Sequence, residues 1–199
     1  MVEDMAALGP DAPTLCEGWD TRDLTAHLLL RERRPDAMVG VLVSAFSTHT
    51  DKVQDQIAAG DWDDLLDDLR SGPPAWSPAR FEKIDRAMNT HEFFVHREDV
   101  LRAQPGWAPR DLDPELVEDL HTALRRSAKL LARSSSVGIV LAPDGQDEIT
   151  AKDATPSVTV RGPIGEIVLF LFGRGEHARV EIDGAPDDVA AARSTEFGF

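Results

Sequence analysis

The sequence predicts an α+β protein: an antiparallel helical bundle over residues 1–133, then a small α+β unit over residues 137–199. Two observations predict it. Apolar residues recur at three- and four-residue spacing through most of residues 1–133, the pattern of amphipathic helices. Beyond Ser136 the pattern changes to short β-branched runs cut by Gly, Pro and Asp, as strands and turns require. The Ser134-Ser135-Ser136 run marks the junction.

In the first part, Asp20 or Thr21 can cap a helix that runs through Leu24, Leu28 and Leu29 to the Arg31–Arg34 cluster, where Pro35 breaks or kinks it. A second helix is expected from Pro35 to about Phe46. Asp51–Ala59 and Asp61–Arg70 read as helices parted by Gly60, the second with Trp62, Leu65, Leu66 and Leu69 on one face. Ser71-Gly-Pro-Pro ends it. A long helix follows from about Ala79 to Ala103, closed by Gln104-Pro105-Gly106, and another from Pro114 to Arg133 carries Leu116, Leu120 and Leu124 as a stripe. Short loops between helices favour an antiparallel bundle. In the tail, Val137–Leu141 and Glu148–Ala151 flank an Asp144-Gly145 turn, and Ser157–Val160 makes a third strand. Ile164–Phe172 reads as a helix, Ala178–Ile182 as a strand and Pro186–Ala192 as a final helix.

Composition narrows the function. The 199 residues, 42% hydrophobic, suit one compact unit or two small ones. With 36 acidic against 21 basic side chains, the net charge of -15 repels phosphate backbones and anionic headgroups, so neither nucleic acid nor membrane is an expected partner. The single cysteine, Cys16, excludes an intramolecular disulfide and a cysteine-based zinc cluster, which fits a cytoplasmic protein. The longest apolar run, Ile167–Phe172, falls far short of the roughly 20 residues that cross a bilayer. MVEDMAALGP lacks the basic start and long apolar stretch of a secretory signal. A monomer or weak homodimer is expected.

The richest stretch is Asn89-Thr-His-Glu-Phe-Phe-Val-His-Arg-Glu-Asp99 in the long helix. At about 100° per residue, His91 and His96 lie roughly 140° apart, whereas Glu92 and His96 differ by only about 40°. Glu92 and His96 are therefore the usable pair. The stretch fails the His-Glu-x-x-His pattern, which puts its histidines four apart, so a metalloprotease is unsupported. A third ligand must come from another helix, and His27, set among apolar neighbours in Leu24-Thr-Ala-His-Leu-Leu-Leu, is the donor to expect. Two imidazoles and one carboxylate leave coordination positions open, as in catalytic zinc or non-haem iron sites. The same residues also read as a hydrogen-bonded core histidine and an ordinary Glu–His surface pair.

The run Ala12-Pro-Thr-Leu-Cys-Glu-Gly-Trp-Asp-Thr-Arg-Asp-Leu-Thr-Ala-His27-Leu, continuing to Arg31-Glu-Arg-Arg-Pro35, resembles the N-terminal domain of the mycothiol-dependent maleylpyruvate isomerase family within the DinB-like superfamily. Within it, the chain is similar to an actinobacterial branch of metal-binding proteins. The resemblance implies a DinB-like bundle, a sterol-carrier-like C-terminal domain and a metal triad. That triad combines a histidine in Trp-x-x-x-Asp-Leu-x-x-His with a later Glu-x-x-x-His, which here fall on His27, Glu92 and His96. It also implies a full helix before Gly9-Pro10, where this sequence supplies about eight residues, so a truncated first helix or a misassigned start is expected.

Arg31 and Arg34 share a helical strip with His27 and can hold a substrate or thiol carboxylate through guanidinium forks; basic residues at a helix C-terminus also simply favour its dipole. Arg174 is a weaker candidate in the tail. Cys16 has no nearby histidine in sequence and reads as packing. The acidic run from Asp61 lacks glycine at the sixth position of a calcium loop, where Leu66 stands. His49, His121 and His177 have no companions at ligand spacing.

The function expected is a divalent-metal-dependent S-transferase or isomerase, with Zn2+ the first choice and Ni2+ or Fe2+ compatible. It takes mycothiol as cosubstrate and a small electrophile as substrate. A non-catalytic metal-binding or small-ligand-binding protein and a metal-dependent hydrolase are the alternatives, because the same three ligands serve each.

Overall fold

The structure, a computed structural model, describes residues 1–34, 47–74, 76 and 82–198. The helix expected over 35–46 lies outside the described residues. The chain divides into two compact units, Met1–Trp107 and Ala108–Phe199.

In the first unit, α1 (Val2–Leu8) buries Met5 completely and stops at Gly9, whose φ of 84° continues no helix. α2 (Thr21–Arg33) starts at a capping box: Asp23 N–H donates to Asp20 Oδ1 at 2.9 Å, and Asp20 N–H donates to Asp23 Oδ2 at 3.2 Å. It ends before Arg34, because the residue preceding a proline is pushed out of the α region. α3 (Ser47–Ala58) and α4 (Trp62–Arg70) pack against α2. Arg22 fixes the turn between them, its Nη1 donating to the carbonyls of Ala58 and Gly60. α5 (Glu82–Arg102) completes the unit. The core gathers Met5, Leu24, Leu28, Leu29, Leu65, Leu66, Leu69 and Val100, with Trp62 half-buried against it, so the stripe read along α4 faces inward.

The loop between α1 and α2 is tied down at both ends. Pro13 and Asp20 form an antiparallel bridge, Thr14 Oγ1 donates to the Trp19 carbonyl at 2.8 Å, and Leu15 N–H donates to the Asp99 carbonyl at 3.0 Å. This last bond fastens the loop to α5 and fixes where Cys16 sits.

The second unit begins with α6 (Pro114–Leu131), capped by Asp113, whose side chain accepts from Leu116 N–H. Its buried stripe, Leu120, Leu124, Ala128 and Leu131, packs α6 with the sheet and with α7 (Ile164–Leu171). The units therefore part after Trp107. The change of patterning at Ser134–Ser136 marks the passage from α6 to the sheet, and the helical stripe that reads as bundle instead covers strands.

The sheet has four strands in the order β2-β1-β3-β4: β1 (Gly138–Pro143), β2 (Ile149–Lys152), β3 (Ser157–Gly162) and β4 (Glu181–Asp183). β1 and β2 form the hairpin expected around Asp144-Gly145, with Gly145 at a φ of 72°. β3 pairs parallel to β1 on its other side, and β4 closes the far edge antiparallel to β3. α7 is buried all round, which is why its sequence is apolar without periodicity. α8 (Pro186–Arg193) follows β4. The fold is thus mixed helix and sheet, as expected. Among the described residues, no helix is long and apolar enough to cross a membrane.

Candidate metal centre

Two helices build the site. α2 carries His27 and, one turn on, Arg31; α5 carries Glu92, His96 and Asp99 at spacings of four and three, hence on one face. His27 is pressed among Leu24, Leu28 and Leu30, all buried, and is itself 9% exposed. Its ring leans on Trp19, with centroids 5.0 Å apart.

The three predicted ligands meet. Glu92 Oε1 lies 3.1 Å from His27 Nε2 and 3.1 Å from His96 Nε2. The Arg31 guanidinium forms an ion pair with the same oxygen, its Nε 3.1 Å away. On the far side of the His96 ring, Nδ1 donates to Asp99 Oδ2 at 2.9 Å, and the Cys16 thiol donates to that same oxygen at 3.2 Å. Asp99 has no exposed side-chain surface.

Charge follows geometry. Burial raises the Glu92 pKa, but hydrogen bonds from His27 and His96 and the charges of His96 and Arg31 outweigh it and hold the carboxyl well below the usual carboxylate range. Burial likewise opposes a charged His96, yet Asp99, Cys16 and Glu92 together push its pKa up to about 11. Without a metal, His96 is an imidazolium held between two carboxylates.

The donor set fits a divalent cation. Two ligands about 2.1 Å from a tetrahedral ion stand about 3.4 Å apart. The three donor atoms here all lie within 4.8 Å of one another, and two of the separations are 3.1 Å. Two imidazole nitrogens and one carboxylate oxygen form the ligand set of an open site rather than a closed structural one.

The predicted arginines separate. Arg31 stands at the site on Glu92. Arg34 is the C-cap of α2, its backbone N–H bonded to the Leu30 carbonyl at 2.8 Å. Arg174 belongs to the second unit, where Nη1 donates to the Phe172 carbonyl at 2.6 Å. Two residues at the site escape sequence reading. Asp99, three positions after His96, carries a helical signal in the motif itself. Cys16 carries none, because 80 residues separate it from the histidine whose Nδ1 lies 3.7 Å from its sulfur. His121 is buried and contacts the Asp147 carbonyl through Nε2, a structural role consistent with its lack of ligand companions.

No protein-family model matches the chain, and no curated protein matches it in sequence. Solved structures do. A histidine-to-alanine mutant of mycothiol-dependent maleylpyruvate isomerase superposes with a TM-score of 0.56 at 17% identity, over 92% of this chain and 86% of that one. The chain shares that enzyme's fold. A second crystal structure of mycothiol-dependent maleylpyruvate isomerase gives 0.46 at 19% identity, over 85% of this chain and 80% of that one. The likeness read from the Trp-x-x-x-Asp-Leu-x-x-His27 run thus holds at the level of the fold.

Proposed function

We propose that the protein is a metal-dependent enzyme that uses a low-molecular-weight thiol, mycothiol, in S-transfer or isomerisation. The observation that carries this reading is the convergence of His27 Nε2 and His96 Nε2 on Glu92 Oε1. The shared maleylpyruvate isomerase fold supports it, along with the DinB-like and sterol-carrier-like assignments of the helical and tail parts. His27, Glu92 and His96 would hold the ion, with Zn2+ the first choice and Ni2+ or Fe2+ suited to the same donors. A bound divalent cation favours the deprotonated form of a thiol, so a nucleophilic sulfur is available at neutral pH.

The chain's own groups supply orientation. Arg31 brings a guanidinium to the rim of the ligand set, where it can hold a carboxylate of substrate or thiol; its position favours it over Arg34 and Arg174. Trp19 packs against His27 and limits water on that side. Reversible thiol addition to a conjugated double bond permits rotation and isomerisation, and stable addition is S-transfer. Both outcomes use one site.

Purified protein is expected to carry about one divalent ion per chain by elemental analysis. His96→Ala should lose most of it, and full retention would remove the site. Calorimetry should show mycothiol binding to the metal-loaded protein alone. Equal binding to the stripped protein would overturn the thiol chemistry.

A second reading, small-ligand binding, is favoured by one observation in the second unit: a cavity of about 470 Å³ lined by Phe170, Glu176, Arg193 and Phe197 among others.

A further inference from the structure

We propose that Asp99 is the positioning residue of the metal centre: its buried carboxylate holds the His96 ring by Nδ1, leaving Nε2 as the nitrogen turned to Glu92 and His27. The inference rests on the metal reading above and adds a residue to it. A neutral imidazole offers one lone pair, and which nitrogen carries it depends on the bond made by the other. Here the two ring nitrogens face different partners. Nδ1 is 2.9 Å from Asp99 Oδ2 and Nε2 is 3.1 Å from Glu92 Oε1. A proton fixed on Nδ1 by Asp99 makes Nε2 the ligand, and the adjacent carboxylate raises the basicity of that nitrogen.

Asp99 is itself held. Its side chain is fully buried, its carbonyl accepts from Leu15 N–H at 3.0 Å, and its Oδ2 takes a second hydrogen from the Cys16 thiol at 3.2 Å. Cys16 is held in turn, its N–H donating to Thr14 Oγ1 at 3.1 Å. The loop and α5 thus grip the carboxylate from two sides, and a gripped carboxylate fixes a ring more firmly than a mobile one.

Cys16, His96 and Asp99 also form a trio whose donor atoms lie within 4.8 Å of one another. That trio could take an ion only through Nδ1, the nitrogen whose proton Asp99 receives. The geometry therefore makes it a support for the first set rather than a second centre.

Zinc titration against a chromophoric chelator, and visible absorption of the Co2+-loaded protein, test this on the full chain. Asp99→Asn preserves size but removes the charge. It is expected to weaken zinc binding by about 10–100-fold and to alter the Co2+ spectrum while far-UV circular dichroism stays unchanged. Cys16→Ser keeps a donor on Oδ2 and should bind zinc close to wild type. Nitrogen NMR of the zinc-loaded wild-type protein, which needs no variant, should show His96 protonated at Nδ1 and ligated through Nε2.

Wild-type zinc affinity and an unchanged Co2+ spectrum in Asp99→Asn would overturn the inference and leave the metal site standing. Ligation through Nδ1, or a second ion lost with Asp99 and Cys16, would overturn it as well. A wild-type protein that binds neither metal would overturn the metal reading beneath it.

Discussion

Helix α5 holds two clusters of buried charge that obey different rules. Glu98 and Arg102 meet at 2.7 Å with side chains 1% and 2% exposed, and the Arg102 guanidinium lies over the Trp107 ring at 4.9 Å. Nearly two turns toward the N-terminus, Glu92 Oε1 lies 3.1 Å from His27, His96 and Arg31, and Asp99 holds the far side of the His96 ring. Folding needs only that a buried carboxylate be neutralised and bonded, which the Arg102 guanidinium does for Glu98. The second gathers two imidazoles and a guanidinium around one oxygen, more donor capacity than neutralisation requires. That excess is what the proposed metal site would use.

The contrast breaks most sharply on deletion. Arg102→Ala leaves Glu98 buried without its guanidinium, and should lower the unfolding free energy by about 3–5 kcal/mol in denaturant titrations. The folded fraction should keep its metal. His96→Ala should differ in the metal. It also loses a charged imidazole held between Glu92 and Asp99, so it is destabilised as well, but it loses the ion that Arg102→Ala keeps. Equal metal loss in the two variants would erase the distinction.

Next in size is the coupling of metal to protons. The His96 pKa is raised from its ordinary 6.5 to about 11, so between pH 7 and 9 an ion must displace a proton to reach Nε2. Zinc affinity should therefore rise about tenfold per pH unit across that window. Calorimetry in buffers of different ionisation enthalpy should show one proton released, and an affinity flat with pH would contradict a charged His96. In the metal-free protein the sign is opposite. A raised folded-state pKa stabilises the fold fully below about 6.5, and that stabilisation is lost as pH climbs toward the folded value.

Much of this was legible in the sequence. The α4 stripe, the Asp20 cap, the stop before Pro35 and the Asp144-Gly145 hairpin are local, and local rules place them. The meeting of His27 with Glu92 and His96 was legible from the helical spacing of Glu92 and His96, the apolar neighbours of His27 and the family resemblance. Three features were not legible for one reason: they depend on partners far away in the chain. β3 beside β1, rather than beside β2, is a choice of edge that strand patterns do not encode. The α6 stripe looks alike whether it covers helices or strands. Cys16 reaches Asp99 across 83 residues only because a Leu15–Asp99 backbone bond lays the loop on α5.

The smallest expected effect tests the boundary of the site. Asp4 on α1 accepts from Arg97 Nε at 2.8 Å, on the same helix as the ligands but with both side chains partly solvated, 25% and 36% exposed. Burial raises the Asp4 pKa, but hydrogen bonds from Arg97 and the N-terminal ammonium outweigh it, and the carboxyl ends below its ordinary 3.8. A depressed carboxylate pKa stabilises the fold above the ordinary value, and that contribution is lost as pH falls through the depressed one. Solvent screening keeps it to about 0.2–1 kcal/mol. Asp4→Asn should therefore unfold slightly more easily than wild type at pH 7. The difference should shrink in high salt and vanish in strong acid. Zinc affinity should not move, because Asp4 makes no bond to the ligand set. A loss of zinc in Asp4→Asn would mean that the α1–α5 tie, and not only the polar face of α5, sets the geometry of the centre.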